Sequence, residues 1–298
     1  MQNSISGISR SEKGHGIVVA TRTWLITGAS RGIGAQIVRE ALSRGQRVAA
    51  TARDAAAVSK AFPEADPDLL LALPLDVTDP EQAEAAVSRT VERFGGVDVL
   101  VNNAGRGLLG AVEEVSDAEA RTIFDTNVFG TLTMIRATLP VLRAQGAGHV
   151  INFSSIGGFA GSAGWGVYNA TKFAVEGLSE ALALEVAPLG IRVTIVEPGY
   201  FRTNFLDSSS LQHSAAELDA YAETTGATRA SADAGNHKQP GDPAKAARVI
   251  VDVPDYPAPP LRLQLGTDCV ARVESKLDSV REELERWRTV AASTNFDD

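Results

Sequence analysis

The sequence predicts an α/β protein: a single doubly wound domain whose central parallel sheet of about seven strands is flanked by helices. Three observations predict it. Short apolar segments alternate with longer amphipathic ones along most of the chain. A glycine-rich turn follows the first apolar segment directly. The 298 residues are enough for one large core, and no linker or internal repeat divides them. Strands alternating with helices imply βαβ units and a parallel sheet covered on both faces. Right-handed crossovers then leave the Rossmann-type arrangement.

Each element has its own reason. The apolar run Thr23–Thr27 reads as the first buried strand. A helical pattern follows through Ile33, Ile37, Val38 and Leu42, and Gly45 ends it. Arg47–Ala52 and Leu69–Leu75 read as the next two strands, and Pro80–Phe94 as an amphipathic helix closed by Gly95-Gly96. Val97–Asn102 is a fourth strand, followed by one long helix from Asp117 to Ala144. Val150–Ser154, a helix over Tyr168–Ala187 and Arg192–Val196 continue the alternation. A helix over Pro243–Val253, a short strand Arg262–Leu265 and a helix over Cys269–Val290 complete it.

The segment Phe201–Gln239 breaks the pattern, being rich in Ser, Ala, Thr, Gly and Asp. It follows the sixth strand, at the end of the sheet where open α/β folds bind ligands, and reads as a mobile substrate lid over 201–240. Residues 1–20 read as an N-terminal extension, expected to be disordered, ahead of one Rossmann-type domain over 21–298. A C-terminal helix over 269–293 ends that domain. Its Leu277, Val280, Leu284 and Trp287 recur at helical spacing, and packing within the chain is expected for them.

Composition narrows the function. With 28 Lys and Arg against 37 Asp and Glu, the net charge of −9 disfavours nucleic acid and anionic membranes as partners. No apolar run reaches the roughly 18 residues needed to cross a bilayer. A single cysteine, Cys269, suits a reducing cytoplasm and reads as a buried structural thiol. Four scattered histidines give metal chemistry no support.

The turn Thr27-Gly28-Ala29-Ser30-Arg31-Gly32-Ile33-Gly34 links the first strand to the first helix. Its glycines let backbone approach a pyrophosphate, and the helix start offers unpaired N–H groups. The second strand ends in Ala52-Arg53-Asp54. Arg53, helped by Arg31, can pair a 2′-phosphate, so NADP(H) is expected; with Asp54 on the ribose instead, the cofactor is NAD(H). Tyr168 and Lys172 share a helical face at i and i+4. An ammonium there is expected to lower the phenol pKa towards the working range of a general acid–base group. Ser154-Ser155 closes the preceding strand and offers a hydroxyl to the same cleft.

In this combination the chain resembles the short-chain dehydrogenase/reductase family, in its hydroxysteroid- and retinol-dehydrogenase-like branch. The matching pieces occur in family order over about residues 22–266: the glycine turn, Asp76, Asn102-Asn103-Ala104-Gly105, Asn127, Ser155, Tyr168 with Lys172, and Pro198-Gly199. The resemblance implies that Tyr168 gives and takes the proton and that Ser155 polarises the carbonyl. Lys172 would hold the nicotinamide ribose, and Asn127 a water joining Lys172 to solvent. Cofactor contacts would come from Gly28, Ser30, Arg31, Gly32, Ile33, Gly34, Arg53, Asp76, Val77, Asn103, Ala104, Gly105, Tyr168, Lys172, Pro198, Gly199 and Thr203.

The expected reaction moves a hydride between NADP(H) and a carbonyl or secondary alcohol. Gly107–Leu109, the Gly157–Val167 loop with Phe159 and Trp165, and Tyr200–Phe205 are the expected substrate walls. Their apolar side chains suit a small apolar carbonyl or alcohol. A homodimer or homotetramer is implied by resemblance, through the long fourth helix and the Tyr168 helix. Competing readings are a non-catalytic dinucleotide sensor, an NAD-dependent alcohol dehydrogenase and a sugar-nucleotide epimerase or dehydratase. The intact Ser155, Tyr168, Lys172 and Asn127 set argues against the sensor. The glycine spacing and the lack of a large C-terminal substrate domain argue against the epimerase.

Overall fold

A computed structural model describes residues 21–296; the extension expected over 1–20 lies outside them. The elements run β1 (Thr23–Ile26), α1 (Gly32–Ser43), β2 (Arg47–Ala52), α2 (Ala55–Ala61), β3 (Leu70–Pro74), α3 (Pro80–Phe94), β4 (Val99–Asn102), β5 (Gly107–Leu109) and α4 (Asp117–Phe124). They continue with α5 (Gly130–Gln145), β6 (Gly148–Phe153), α6 (Gly166–Val186), β7 (Ile191–Pro198), β8 (Leu211–His213), α7 (Ala227–Gly235), α8 (Pro243–Asp252), β9 (Arg262–Leu265) and α9 (Thr267–Ala292).

Seven strands form one parallel sheet in the order β3-β2-β1-β4-β6-β7-β9. Successive side chains of a strand face opposite ways, and both faces are apolar here. Trp24 and Ile26 of β1, with Val99 and Val101 of β4, join α1 and α8 in one core. Leu25 and Leu100 join α3, α5 and α6 in the other. This double burial explains why the strands read as continuous apolar runs. Chain order reverses between β1 and β4, which opens a crevice at their carboxyl ends.

Helix starts follow the predicted chemistry. The Asp79 carboxylate caps α3 through Glu81 N and Gln82 N, with Pro80 in the first turn. Ser116 and Glu119 form a reciprocal capping box on α4. Asp54 caps α2, an element the sequence pattern did not reveal.

Three expectations are corrected. The long helix from Asp117 is interrupted by a π-turn over Asp125–Phe129. The segment over 201–240 is not irregular throughout. Its β8 pairs in parallel with β5, and α7 lies within it. A buried pair ties it down further: Arg229 of α7 donates to Glu114 at 2.6 Å and to Ser214 Oγ at 2.9 Å. Burial pushes the Glu114 carboxyl up, but the Leu218 N–H, Arg229 and the Ala111 N–H outweigh it and hold the pKa down at about 2. Third, α9 does not pack within the chain along its length. Cys269 and Val273 are buried at its base, whereas Leu277, Val280, Leu284 and Trp287 are exposed. Only its first two turns reach the sheet, so nothing in the described chain covers the rest.

Candidate active site

A cleft of about 740 Å³ opens at the carboxyl end of the sheet, over the point where strand order reverses. It runs from Arg31 and Arg53 to Ser155, Tyr168 and Lys172. Of the predicted cofactor residues, only Gly34 does not line it.

The glycine turn is held from behind. Gly28 has φ +63°, which favours glycine, and a side chain there would meet Ala104 Cα at 2.9 Å. Asn103 Nδ2 donates to the carbonyls of Thr27 and Gly28, and Thr27 Oγ1 accepts from the N–H groups of Asn103 and Ala104. Gly34 belongs to this scaffold: a Cβ there would collide with Asn103 Nδ2 at 2.4 Å. Gly34 thus lets α1 pack closely against Asn103. The N-terminus of α1 has no side-chain cap, so its first N–H groups are free for an anion. A Cβ on Gly32 would meet nothing closer than Thr203 Cβ at 3.9 Å. The cradle therefore fits a dinucleotide pyrophosphate.

Farther along, Asp54 Oδ1 accepts from Ala56 N at 2.9 Å, which commits it to the α2 cap. Arg53 is exposed and makes no hydrogen bond to another described residue. Arg31 Nη2 donates to Ser209 O at 2.9 Å, joining the turn to the 201–240 segment. Asp76 and Val77 stand side by side after β3 and line the cleft. Asp76 Oδ1 accepts from Thr78 N and Oγ1. Past β7, Pro198 and Gly199 line the opposite wall. A Cβ on Gly199 would strike the Asp268 carboxylate at 2.3 Å. Thr203 caps the short turn over Asn204–Leu206 by accepting from Phe205 N at 3.2 Å.

The end of the cleft that holds Tyr168 and Lys172 is buried. Tyr168 sits near the start of α6, its ring 5.5 Å from Trp165 and 5.8 Å from Phe205. Burial raises its pKa to about 12, and Ser155 as hydrogen-bond partner pulls the other way. This corrects the expected lowering by Lys172. Desolvation of the phenolate wins, and the ammonium is turned elsewhere: Lys172 Nζ donates to Phe153 O at 2.9 Å and lies 5.9 Å from the Tyr168 ring centroid. Burial lowers Lys172 to about 8, with Glu176 opposing. Ser155 Oγ accepts from Gly157 N at 3.1 Å, and Ser155 lines the cleft.

Asn127 is buried in the π-turn and does not line the cleft. Its Oδ1 accepts from Arg106 N, and its Nδ2 donates to Arg106 O and to Thr171 Oγ1. Both of its N–H donors are thus engaged. It stands 3.2 Å from a Cβ built on Gly105, and Lys172 Nζ stands 3.6 Å from the same point. The extra residue of the π-turn brings it to this place.

The expected substrate walls divide. Gly157, Trp165, Tyr200, Phe201, Thr203, Asn204 and Phe205 line the cleft. Leu108 and Leu109 do not. They pair with β8 and pack behind Tyr168 and Trp165. Phe159 also stays off the cleft. Sequence reading missed Gln239, which is buried with an unpartnered Oε1 and lines the cleft from the far end of the 201–240 segment. No motif marks it, and only its segment's position hinted at a role.

Residues 22–214 match the sequence model of the family described as short chain dehydrogenase. The chain belongs to that family. This short-chain dehydrogenase is 35% identical to oxidoreductase BOA17 of Botryotinia fuckeliana over 274 residues, covering 92% of this chain and 99% of that protein. It is 40% identical to a 3-alpha-(or 20-beta)-hydroxysteroid dehydrogenase of Mycobacterium tuberculosis over 186 residues, 61% of this chain and 70% of that one. A solved short-chain dehydrogenase from Streptomyces avermitilis superposes with TM-score 0.86 at 46% identity, covering 93% of this chain and 99% of that one. Fold neighbours include one with NADP bound, ElxO (TM-score 0.69, 27% identity, 84% and 99% coverage). Another, from Burkholderia phymatum, carries NAD (TM-score 0.76, 21% identity, 88% and 95% coverage). Among the described residues of this dehydrogenase, no helix is long and apolar enough to cross a membrane.

Proposed function

We propose that the protein is an NADP(H)-dependent oxidoreductase acting on an apolar ketone, aldehyde or secondary alcohol. One observation carries the reading: a single cleft joins two arginines at one end to Ser155, Tyr168 and Lys172 at the other. When bound, the dinucleotide supplies or accepts the hydride. Gly28, Ser30, Gly32, Ile33 and the free N–H groups of α1 hold the pyrophosphate. Arg53 pairs the 2′-phosphate, and Arg31 can join it by leaving Ser209. Asp54, spent on its helix cap, is a poor ribose ligand, which favours NADP(H) over NAD(H). Asp76 and Val77 border the adenine, and Asn103, Ala104 and Gly105 form the floor. Pro198, Gly199 and Thr203 hold the nicotinamide end, and Lys172 the nicotinamide ribose.

The protein's own chemistry is proton transfer and charge stabilisation. A phenol raised to about 12 stays protonated across neutral pH, so Tyr168 is poised to donate to a carbonyl oxygen. Ser155 donates a second hydrogen bond to that oxygen as charge builds on it. The Lys172 ammonium stabilises the phenolate that remains, and Asn127 borders the path by which solvent returns a proton. Trp165, Phe205 and Tyr200 give the substrate apolar walls. The hydroxysteroid dehydrogenase among the relatives is named for a hydroxyl on an apolar scaffold, in keeping with such a substrate.

The domain reading is a catalytic unit over 21–298 with a substrate lid over 201–240. The cytoplasm, where NADPH is kept reduced, suits this chemistry. Exposed Phe129 before α5 and Phe173 and Leu184 on α6 suit a homodimer or homotetramer built across those helices.

The test follows the absorbance of the reduced nicotinamide against a panel of apolar ketones, aldehydes and secondary alcohols. NADPH and NADH are compared side by side, with Tyr168→Phe as control. Turnover favouring NADPH and lost in the control is expected. Turnover that survives in Tyr168→Phe, or that favours NADH, overturns the corresponding half of the reading.

A further inference from the structure

The C-terminal helix α9 is fastened at one end only, and three hydrogen bonds from that end reach β7 and the loops that follow β6 and β7. Cys269 Sγ donates to Glu197 O at 3.1 Å, near the end of β7. Asp268 Oδ2 accepts from Tyr200 N at 2.7 Å, two residues past β7. Arg272 Nη2 donates to Gly161 O at 2.9 Å, in the loop over 154–165 that links β6 to α6.

All three partners are backbone groups, so these bonds fix where the chain runs. Asp268 and Arg272 are four residues apart and share one face of the first two turns. The Asp268 carboxylate sits in a slot: a Cβ on Gly199 or on Gly266 would collide with it. Pairing of β7 with β9 ends at Pro198 and Leu265, and Gly199 N still donates to Leu265 O. Tyr200 N is the next amide, and Asp268 is its partner among the described residues. The carboxylate therefore carries backbone order one residue beyond the sheet, into the wall of the cleft.

Both loops need outside support. Gly157, Gly158, Gly161 and Gly164 lie within the 154–165 loop, and glycine leaves a backbone free to take many conformations. Ser162, next to Gly161, lines the cleft, as does Trp165, whose ring lies 5.5 Å from that of Tyr168. Tyr200 lines it from the other loop. One stretch of α9 thus holds two substrate walls that come from separate strands.

We propose that Asp268 and Arg272 are positioning residues that brace the Tyr200 loop and the 154–165 loop, and so set the fit of the substrate pocket. The inference rests on the reading of the cleft as a ketone site. Neither residue enters the proton transfer. Their task is to hold backbone, so the group that each presents matters more than its charge: an acceptor at 268 and a donor at 272.

The test takes three readouts on the full chain. Ketone reduction at saturating NADPH is followed for whichever ketone of the panel above has the lowest wild-type KM. NADPH affinity is read by fluorescence titration. Hydrogen exchange at the Tyr200 amide and across the 154–165 loop is read by mass spectrometry and needs no turnover.

In Asp268→Ala the ketone KM should rise about 5- to 20-fold, the scale of a lost charge-assisted hydrogen bond. The kcat should stay within about twofold, because walls that bind ground state and transition state alike act on KM. NADPH affinity should stay within about threefold, since its charge-assisted contacts lie at the other end of the cleft. The Tyr200 amide should exchange faster. Asp268→Asn keeps an acceptor and should restore both KM and protection. Arg272→Ala should raise KM about two- to fivefold and speed exchange in the 154–165 loop, with recovery in Arg272→Lys. It carries the test if Asp268→Ala does not fold. Glu274→Gln changes an exposed charge between the same turns and should move nothing.

An unmoved KM in Asp268→Ala overturns the proposal, and so does unmoved exchange. A joint loss of kcat, ketone binding and NADPH binding that Asp268→Asn does not restore marks a general structural role and also overturns it. If the wild type reduces no ketone of the panel, the proposed function fails, and the exchange readout alone decides whether the brace stands.

Discussion

The two ends of the cleft are built by opposite physics. At the phosphate end, Arg53 is exposed and Arg31 rests against a backbone carbonyl, so the charges meet water and their strength depends on salt. At the chemical end, Tyr168 and Lys172 are 7% and 6% exposed, and burial moves their pKa values in opposite directions. The exposed end reads by residue type, because a guanidinium keeps its charge wherever it sits. The buried end does not. The sequence places an amine beside a phenol and suggests a lowered pKa, but desolvation outweighs that proximity. Residue identity announces the role, and burial sets the protonation state.

The largest expected effect tests the buried end. Tyr168→Phe removes the only group assigned to donate the proton, and kcat should fall on the order of 10²–10⁴-fold. NADPH affinity, read by fluorescence titration, should stay within about threefold. A loss of binding equal to the loss of rate would mean that the phenol serves the pocket, not the chemistry.

Next comes the anchor of the 201–240 segment. Cutting one partner from the buried Arg229–Glu114 pair leaves the other uncompensated. Arg229→Leu should therefore cost about 3–5 kcal/mol in urea unfolding. The Glu114 pKa is depressed from 4.5 to about 2, so the pair stabilises the fold above pH 4.5. That contribution is lost as the pH falls from 4.5 towards 2. In wild type the unfolding midpoint should drop through this window, and in Arg229→Leu it should drop less.

The exposed end should respond more gently. Arg53→Ala removes one charge-assisted phosphate contact, worth about 1.5–3 kcal/mol, so NADPH should bind roughly 10- to 100-fold more weakly. NADH binding should not move, and the NADPH loss should shrink in high salt. Equal weakening of both cofactors would place Arg53 away from the 2′-phosphate and remove the contrast between the two ends.

The smallest effect concerns α9. Ending the chain after Lys276 deletes a stretch whose described residues, 277–296, are all exposed. Stability should change by no more than about 0.5 kcal/mol, and kcat should be unaltered.

Much of this was legible in the chain. The inner strands of the main sheet showed as apolar runs because both sheet faces are buried, while the edge strand β9 (Arg262–Leu265) alternates and is only partly buried. The glycine turn and the Tyr168–Lys172 spacing carried the site. What stayed hidden depended on partners distant in sequence. Strand β5 is three residues long and exists by pairing with β8, some hundred positions later. Helix α7 is anchored by Arg229 reaching Glu114 across 115 residues. The π-turn that seats Asn127 interrupts an otherwise regular helical pattern, and periodicity does not register one inserted residue. Gln239 lacks any local signature, since a lone glutamine in a polar segment marks nothing until the segment folds over the cleft. The apolar positions of α9 misled for the converse reason: helical spacing announces a face, not what covers it.

That uncovered helix has a practical consequence. From Leu277 to Ala292 it extends about 24 Å along its axis. A fluorophore, affinity handle or fused domain attached at its tip would displace no buried residue, so optical or single-molecule reporting could be built onto this dehydrogenase without disturbing its packed core.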